Sequence, residues 1–470
     1  MKKNNLSLFL FVIFLYLLTA FISIPPVHAE ELLQKQNIDA CFSTKCHPDM
    51  GKDKFVHGPV ATGKCKICHG ENEKHYKKPK RSKFGKIEKD VSKMCFSCHD
   101  KFKFKKMVHK PLQQGECVAC HSPHGSPNKY QLLANGADLC FKCHDKRLNK
   151  NRYVHGPVAV GGCILCHDPH SADYKNNLRV EGSELCFLCH TDKKSKFDQA
   201  KFQHKPVAEN CANCHDPHAA PKKFMMKFDT PELCFNCHKD KKNTIAEIPF
   251  KHAPVTEGNT CQNCHDPHMS DIAKNLLMPP MDLCMSCHDK AMEQSSGAPL
   301  KNMKKLLAEN TDHHGPIKQK DCSGCHNPHG SENFRILRNP YPSTFYKSFS
   351  EENYSLCFGC HERTVVMNPR TSQLTNFRNG DINLHFMHVN KPEKGRTCRA
   401  CHETHASNHP KHIRENVTFG MFDLPLNYMK TDTGGSCLPG CHQLKKYDRV
   451  KKEENLWEEV LPEEKSPEKK

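Results

Sequence analysis

The sequence predicts a mostly irregular chain with short α-helices, almost no β structure and an elongated outline. Three observations predict it. The first is a shortage of core-forming residues: over 470 residues the hydrophobic share is 37% and the mean hydropathy is -0.73, too little for a conventional globule of that length. The second is the presence of 30 Cys and 34 His. The third is that these residues recur in one pattern at a nearly regular period, the mark of an architecture in which each unit packs on its neighbours.

At the N-terminus, Met1, Lys2 and Lys3 precede an uncharged apolar run from Leu6 to Ile24, and Pro25, Pro26, Val27, His28 and Ala29 follow. Charged, apolar and small-residue segments in that order predict a secretory signal over residues 1–29. The competing expectation is a retained anchor, because the run nearly reaches the roughly 20 residues that span a bilayer. In either case the rest of the chain leaves the cytoplasm, where an even number of Cys would ordinarily suggest disulfides.

The spacing is more specific. Cys-x-x-Cys-His occurs thirteen times, first at Cys65, Cys68 and His69; Cys95, Cys98 and His99; Cys117, Cys120 and His121; Cys140, Cys143 and His144; Cys163, Cys166 and His167; Cys186, Cys189 and His190; and Cys211, Cys214 and His215. The others are Cys234, Cys237 and His238; Cys261, Cys264 and His265; Cys284, Cys287 and His288; Cys322, Cys325 and His326; Cys357, Cys360 and His361; and Cys398, Cys401 and His402. The four remaining Cys make two stretched versions, Cys41, Cys46 and His47, and Cys437, Cys441 and His442. Residues i, i+3 and i+4 share a helical face, so two thiols can bond the vinyl groups of one haem while the His meets its iron. Disulfides or zinc knuckles could use the Cys pairs, but neither requires a His directly after the second Cys at all fifteen places. The expectation is fifteen covalently attached haem c groups, with the haems forming the core. The stretched motifs fit a helix less well, since Pro439 and Gly440 cannot continue one.

Aligned on itself, the chain gives a two-haem unit seven times: His-x-Pro, Cys-x-x-Cys-His-x-Pro-His, a spacer, then often Leu-Cys-Phe-x-Cys-His. Setting aside the motif His and His28 leaves 18 His, enough for a second ligand on every iron. The candidates are the leading His57, His109, His155, His204, His252, His314 and His388, and the downstream His75, His124, His170, His218, His268, His329 and His405. A fifteenth would come from His313, His385, His409 or His412. His75 lies six residues past His69, where its counterparts lie three past theirs. In those units a second iron is expected close to the first, because three residues span at most about 10 Å. Phe42, Phe96, Phe141, Phe187, Phe235 and Phe358 each follow a motif Cys, as rings packed on a macrocycle would.

From about Cys41 to His442 the pattern resembles the doubled Cys-x-x-Cys-His family of multihaem c-type cytochromes. The resemblance implies electron transfer to a redox partner protein, to other multihaem cytochromes or an outer-membrane complex, or to an extracellular metal acceptor, from the periplasm, an outer-membrane complex or the cell surface. The alternative is a reductase of nitrogen or sulfur oxyanions with one open haem; such enzymes often replace the motif His with Lys, and no Cys-x-x-Cys-Lys occurs here. Ligation by two His leaves no open position and lacks the Met that raises potential. Export argues against nucleic acid as the partner of the +18 charge. Removing Lys2 and Lys3 and adding fifteen ferric haems at about -1 each leaves a charge of about +1, so the lysines balance propionates. Residues 30–444 are thus expected as the haem-binding region and 445–470 as a charged, solvated tail.

Overall fold

The computed structural model describes residues 47–70, 73–77, 87–101, 103–146, 151–294, 297, 299–440 and 442–454. The stretch expected as a signal, the thiols Cys41 and Cys46, Cys441 and the stretch 455–470 lie outside the described residues. The chain divides into two compact units, one of residues 1–188 and 215–225, the other of residues 189–214 and 226–470.

The repeat is built the same way in both. A leading His caps a helix of four or five residues whose first turn holds Pro, as in Gly58–Ala61 after His57 and Lys205–Glu209 after His204; proline's fixed φ suits that position and its missing N–H costs nothing there. A 3₁₀ turn then carries the first thiol, as in Cys65–Ile67 and Cys211–Asn213. The second motif begins at or near the end of a short α-helix instead, as in Val91–Cys95, Gly136–Cys140 and Glu232–Phe235. Short helices in an irregular chain are therefore what the composition predicted.

The β content exceeds that expectation: among the described residues there are ten small antiparallel sheets. Most are two-residue ladders that a sequence pattern cannot announce, because two residues carry no period. Six of them join successive repeats. The pair before one leading His bonds the pair after the downstream His of the next unit: Phe55–Val56 with Gly125–Ser126, Met107–Val108 with Ser171–Ala172, and Tyr153–Val154 with Ala219–Ala220 in the first compact unit. In the second, Phe202–Gln203 pairs with Met269–Ser270, Phe250–Lys251 with Gly330–Ser331, and Asp312–His313 with Ala406–Ser407.

Beyond residue 337 the chain changes character. Leu337, Tyr341, Tyr354, Val366 and Val389 form one apolar cluster, and Ile382, Leu384, Met387 and Tyr447 form another. A hairpin of Asn416–Phe419 with Phe422–Pro425 and a three-stranded sheet follow. Cys437 ends the strand Gly434–Cys437, so the last stretched motif starts on a strand rather than a helix. Gly434 permits this, since a Cβ there would collide with the Tyr447 carbonyl of the neighbouring strand. That neighbour, Lys445–Asp448, opens the stretch expected as a charged tail; it is held in the sheet because Tyr447 is buried in the second cluster.

Candidate metal centres

The ladders place histidines in register. Beyond each pair of strand residues, the His57 N–H donates to the His124 carbonyl at 2.9 Å, and the same bond joins His109 to His170, His155 to His218, His204 to His268 and His314 to His405. A leading His and the downstream His of the following unit thus leave the backbone side by side. The leading rings are then oriented through Nδ1, which donates to the carbonyl of the Pro before the downstream His: His57 to Pro123, His109 to Pro169, His155 to Pro217, His204 to Pro267 and His252 to Pro328, at 2.8–3.0 Å.

The motif histidines are oriented by a second device. His121 Nδ1 donates to the Tyr130 carbonyl, His167 to Asn176, His215 to Phe224, His265 to Lys274, His326 to Arg335 and His402 to Lys411, always nine residues on and at 2.8–3.0 Å. Each acceptor residue has φ between 55° and 61°. Side chains of this size rarely take the left-handed region, and its recurrence six times has a reason: it turns the carbonyl onto the imidazole. Sequence reasoning missed these acceptors because their identity varies from Tyr to Arg; only the nine-residue interval is constant.

Where Nδ1 is engaged in this way, Nε2 is left to bind, and the rings face one another in pairs. In the first compact unit these are His47 with His75, His57 with His99, His69 with His124, His109 with His144, His121 with His170 and His167 with His218. In the second they are His204 with His238, His252 with His288, His265 with His329, His314 with His361, His326 with His405 and His385 with His402. Centroids are 5.8–6.4 Å apart and the planes lie within 4–16° of parallel. Rings in direct contact would be closer. Two metal–nitrogen bonds of about 2 Å and two ring radii of about 1 Å come to about 6 Å, which matches the observed separation.

A rule emerges that the sequence left open. Five leading His face the second motif His of their own units, whereas five downstream His face the first motif His of the preceding unit. The ends depart from it. His75 has no earlier unit to serve and faces His47. In the last unit, His385 and His388 share the helix Leu384–Val389; His385 faces His402, and His388 donates from Nδ1 to the Leu384 carbonyl at 2.7 Å. Burial lowers the pKa of His385 to about 4 and, with Arg396 adding to it, that of His388 to about 3. Both rings are therefore neutral, the form that binds metal. Of the four candidates for a fifteenth ligand, His385 alone belongs to a parallel pair. His313 bonds the Leu307 carbonyl, His409 lies 3.8 Å from Glu415 and His412 lies 3.6 Å from Asp312. His190 heads the helix Thr191–Gln199, and the His442 Nδ1 bonds the Gln443 carbonyl.

The thiols also meet in a regular way. The first Cys of a second motif touches the first Cys of the next unit: Cys95 with Cys117, Cys140 with Cys163, Cys234 with Cys261, Cys284 with Cys322 and Cys357 with Cys398. The hydrogen bond within a pair pushes Cys234 up and draws Cys261 down to about 6.

Paired thiols, each followed at once by a histidine and repeated along a chain with little core, define a multihaem c-type cytochrome, a carrier of covalently bound haem c and of electrons. The model of the doubled CXXCH motif matches residues 57–104, 109–148, 155–195, 204–243, 252–293 and 314–366, and the chain belongs to that family. The last repeat, from His388 on, is outside the matched residues; its second motif is the stretched one, reached through the β-rich segment. No curated protein matches the chain. Haem c is attached outside the cytoplasm in proteins of this class, and among the described residues no helix is long and apolar enough to cross a membrane.

Proposed function

We propose that the chain binds fifteen haem c groups, each iron held by two His, and conducts electrons from one to the next toward a redox partner or an extracellular acceptor. The observation that carries this reading is the set of twelve near-parallel His pairs at 5.8–6.4 Å, and the repeat register extends the rule to the remaining motifs. Here His385 is the extra ligand, His75 serves the haem of His47, and His388 serves that of His442. The thioether cysteines are the motif pairs, including Cys41 with Cys46 and Cys437 with Cys441. The haems supply one-electron chemistry when bound, and their macrocycles supply the apolar mass that the composition lacks.

The protein's own residues set distances and hold ligands. Touching thiols such as Cys140 and Cys163 bring the attachment edges of successive haems together. Nδ1 donation to backbone carbonyls fixes ring orientation and makes the ligating nitrogen more basic. With both axial positions filled, transfer is outer-sphere, to another multihaem cytochrome, an outer-membrane complex or a metal acceptor outside the cell.

The test is the mass of the intact holoprotein together with its spin state. Fifteen haems, a low-spin oxidised spectrum and no carbon monoxide uptake after reduction are expected; thirteen would remove the two stretched sites. One high-spin haem per chain that binds carbon monoxide would favour the alternative, a reductase with an open site.

A further inference from the structure

The environments of the paired histidines differ in sign of charge and in polarity, and the differences are systematic. In the third, fourth and fifth units the residue after the first motif His is Asp: Asp168, Asp216 and Asp266; the downstream His beside the first two face His121 and His167. Asp168 Oδ1 accepts the backbone N–H groups of His170 and Ser171 at 2.9 and 3.2 Å. Asp216 does the same for His218 at 2.9 Å, and its carboxylate lies 3.7 Å from the His218 Nδ1. The turn that presents the downstream ligand thus places a negative charge beside the ring that faces His121 or His167.

In the last two units the charge is removed or neutralised. Asn327 takes the Asp position and offers an amide oxygen to the His329 N–H. Glu403 takes it in the final unit, 3.8 Å from the His405 Nδ1, but it is nearly buried and its charge is paired with Arg414 and Lys301, both at 3.3 Å. The downstream rings of these two units face His265 and His326; what sets the attachment points Cys357 and Cys398 apart is apolar packing. Cys357 and Cys398 touch each other and pack against the cluster of Leu337, Tyr341, Tyr354, Val366 and Val389.

A haem iron between two neutral imidazoles carries one more positive charge when ferric than when ferrous. Removal from water disfavours the more charged form, so apolar burial raises the potential, and a carboxylate next to a ligand ring stabilises ferric iron and lowers it. Resting on the ligation proposed above, we propose that electrons in the chain collect on the haems attached at Cys357 and Cys398, and that the haems attached at Cys117 and Cys163 are the last to be reduced. The apolar segment after residue 337 is then an electron sink built onto a low-potential array.

The experiment is a potentiometric titration of the holoprotein and of two double variants, Cys357→Ala with Cys360→Ala and Cys163→Ala with Cys166→Ala, each verified by mass to have lost one haem. The first variant is expected to lose one haem's absorbance from the high-potential end of the titration, the second from the low-potential end. Loss from the same part of the curve, or in the reverse order, overturns the proposal. Should the first variant fail to accumulate, Asp216→Asn keeps the backbone acceptor and removes the charge. It is expected to shift one low-potential component upward by about tenfold in the reduction equilibrium, roughly 59 mV for one electron; an unchanged titration overturns the role of the carboxylates. A wrong ligand reading fails separately, since it changes the spin state and carbon monoxide uptake of the unmodified protein rather than the order of reduction.

Discussion

The repeats between residues 57 and 293 and the segment from residue 337 to 454 solve the same problem with opposite means. In the repeats, buried apolar side chains are few and scattered, Val60, Phe187, Phe197 and Ile248 among them, while large ones such as Val160, Ile164 and Leu165 are exposed. Each unit is fastened to the next by a two-residue ladder. In the later segment, Tyr354, Ile382 and Leu384 are fully buried, four-residue strands pair along their length, and both helix-borne histidines, His385 and His388, project from an apolar core. On the proposed ligation, the difference teaches that a haem array can do without a core where the next unit supplies the second ligand. Where the array ends, a core must position that ligand instead.

The widest separation between the two regions is expected when haem attachment is prevented. The repeats then lose what their composition depends on, whereas the C-terminal segment keeps its apolar clusters. Limited proteolysis of chain made without haem should leave a fragment spanning roughly residues 337 to 454. Uniform digestion would erase the distinction drawn here, and a fully protected, cooperatively melting apo-chain would erase the dependence on haem.

Single substitutions sharpen it. Ile382→Ala removes a side chain with no exposure and should destabilise the C-terminal segment of the holoprotein by about 2–5 kcal/mol. Val160→Ala, at a position 81% exposed in a repeat, should change stability by no more than about 0.5 kcal/mol. Denaturant unfolding monitored by hydrogen exchange in each region separates the two, and equal effects would contradict the comparison.

A smaller loss is expected from Asn383→Ala. Asn383 is fully buried; its Nδ2 donates to the Val365 and Asn368 carbonyls at 2.8 Å each, and its Oδ1 accepts the N–H of His385 at 3.0 Å. Leaving those carbonyls unpaired should cost about 1–3 kcal/mol. Because the side chain caps the helix that carries His385 and His388, the variant should also acquire a high-spin signal in the oxidised spectrum. The same loss of stability with an unaltered spectrum would separate the core from ligand positioning.

The smallest effect is electrostatic. The Arg370 guanidinium, 2.8 Å from Asp381, holds that carboxyl below its usual range. A group with a depressed folded pKa contributes stability that is present above its unfolded value, near 4, and is lost as pH falls through the folded value. Both side chains are about half exposed, so Arg370→Ala should cost at most about 1 kcal/mol at pH 7. Exchange rates around residues 370–383 should differ between variant and parent at neutral pH and converge in acid.

By itself the sequence determined the class of chemistry, covalent attachment of haem c. Each thiol pair and its adjacent His are contiguous, so their joint use follows from local geometry on any backbone that turns there. It also marked which histidines stand at fixed intervals from the motif, and it left open which rings they face. Only the tertiary structure decided that. His57 and His124 come together across 67 residues because two strand residues before one pair with two after the other, an interaction too short to leave a period in the sequence. Likewise, His385 stood apart from His313, His409 and His412 only once Asn383, Leu384 and Met387 had buried its helix against Ile382 and Tyr447. Whether a ring can face another ring 6 Å away depends on what packs behind it, and packing is a property of residues distant in the chain.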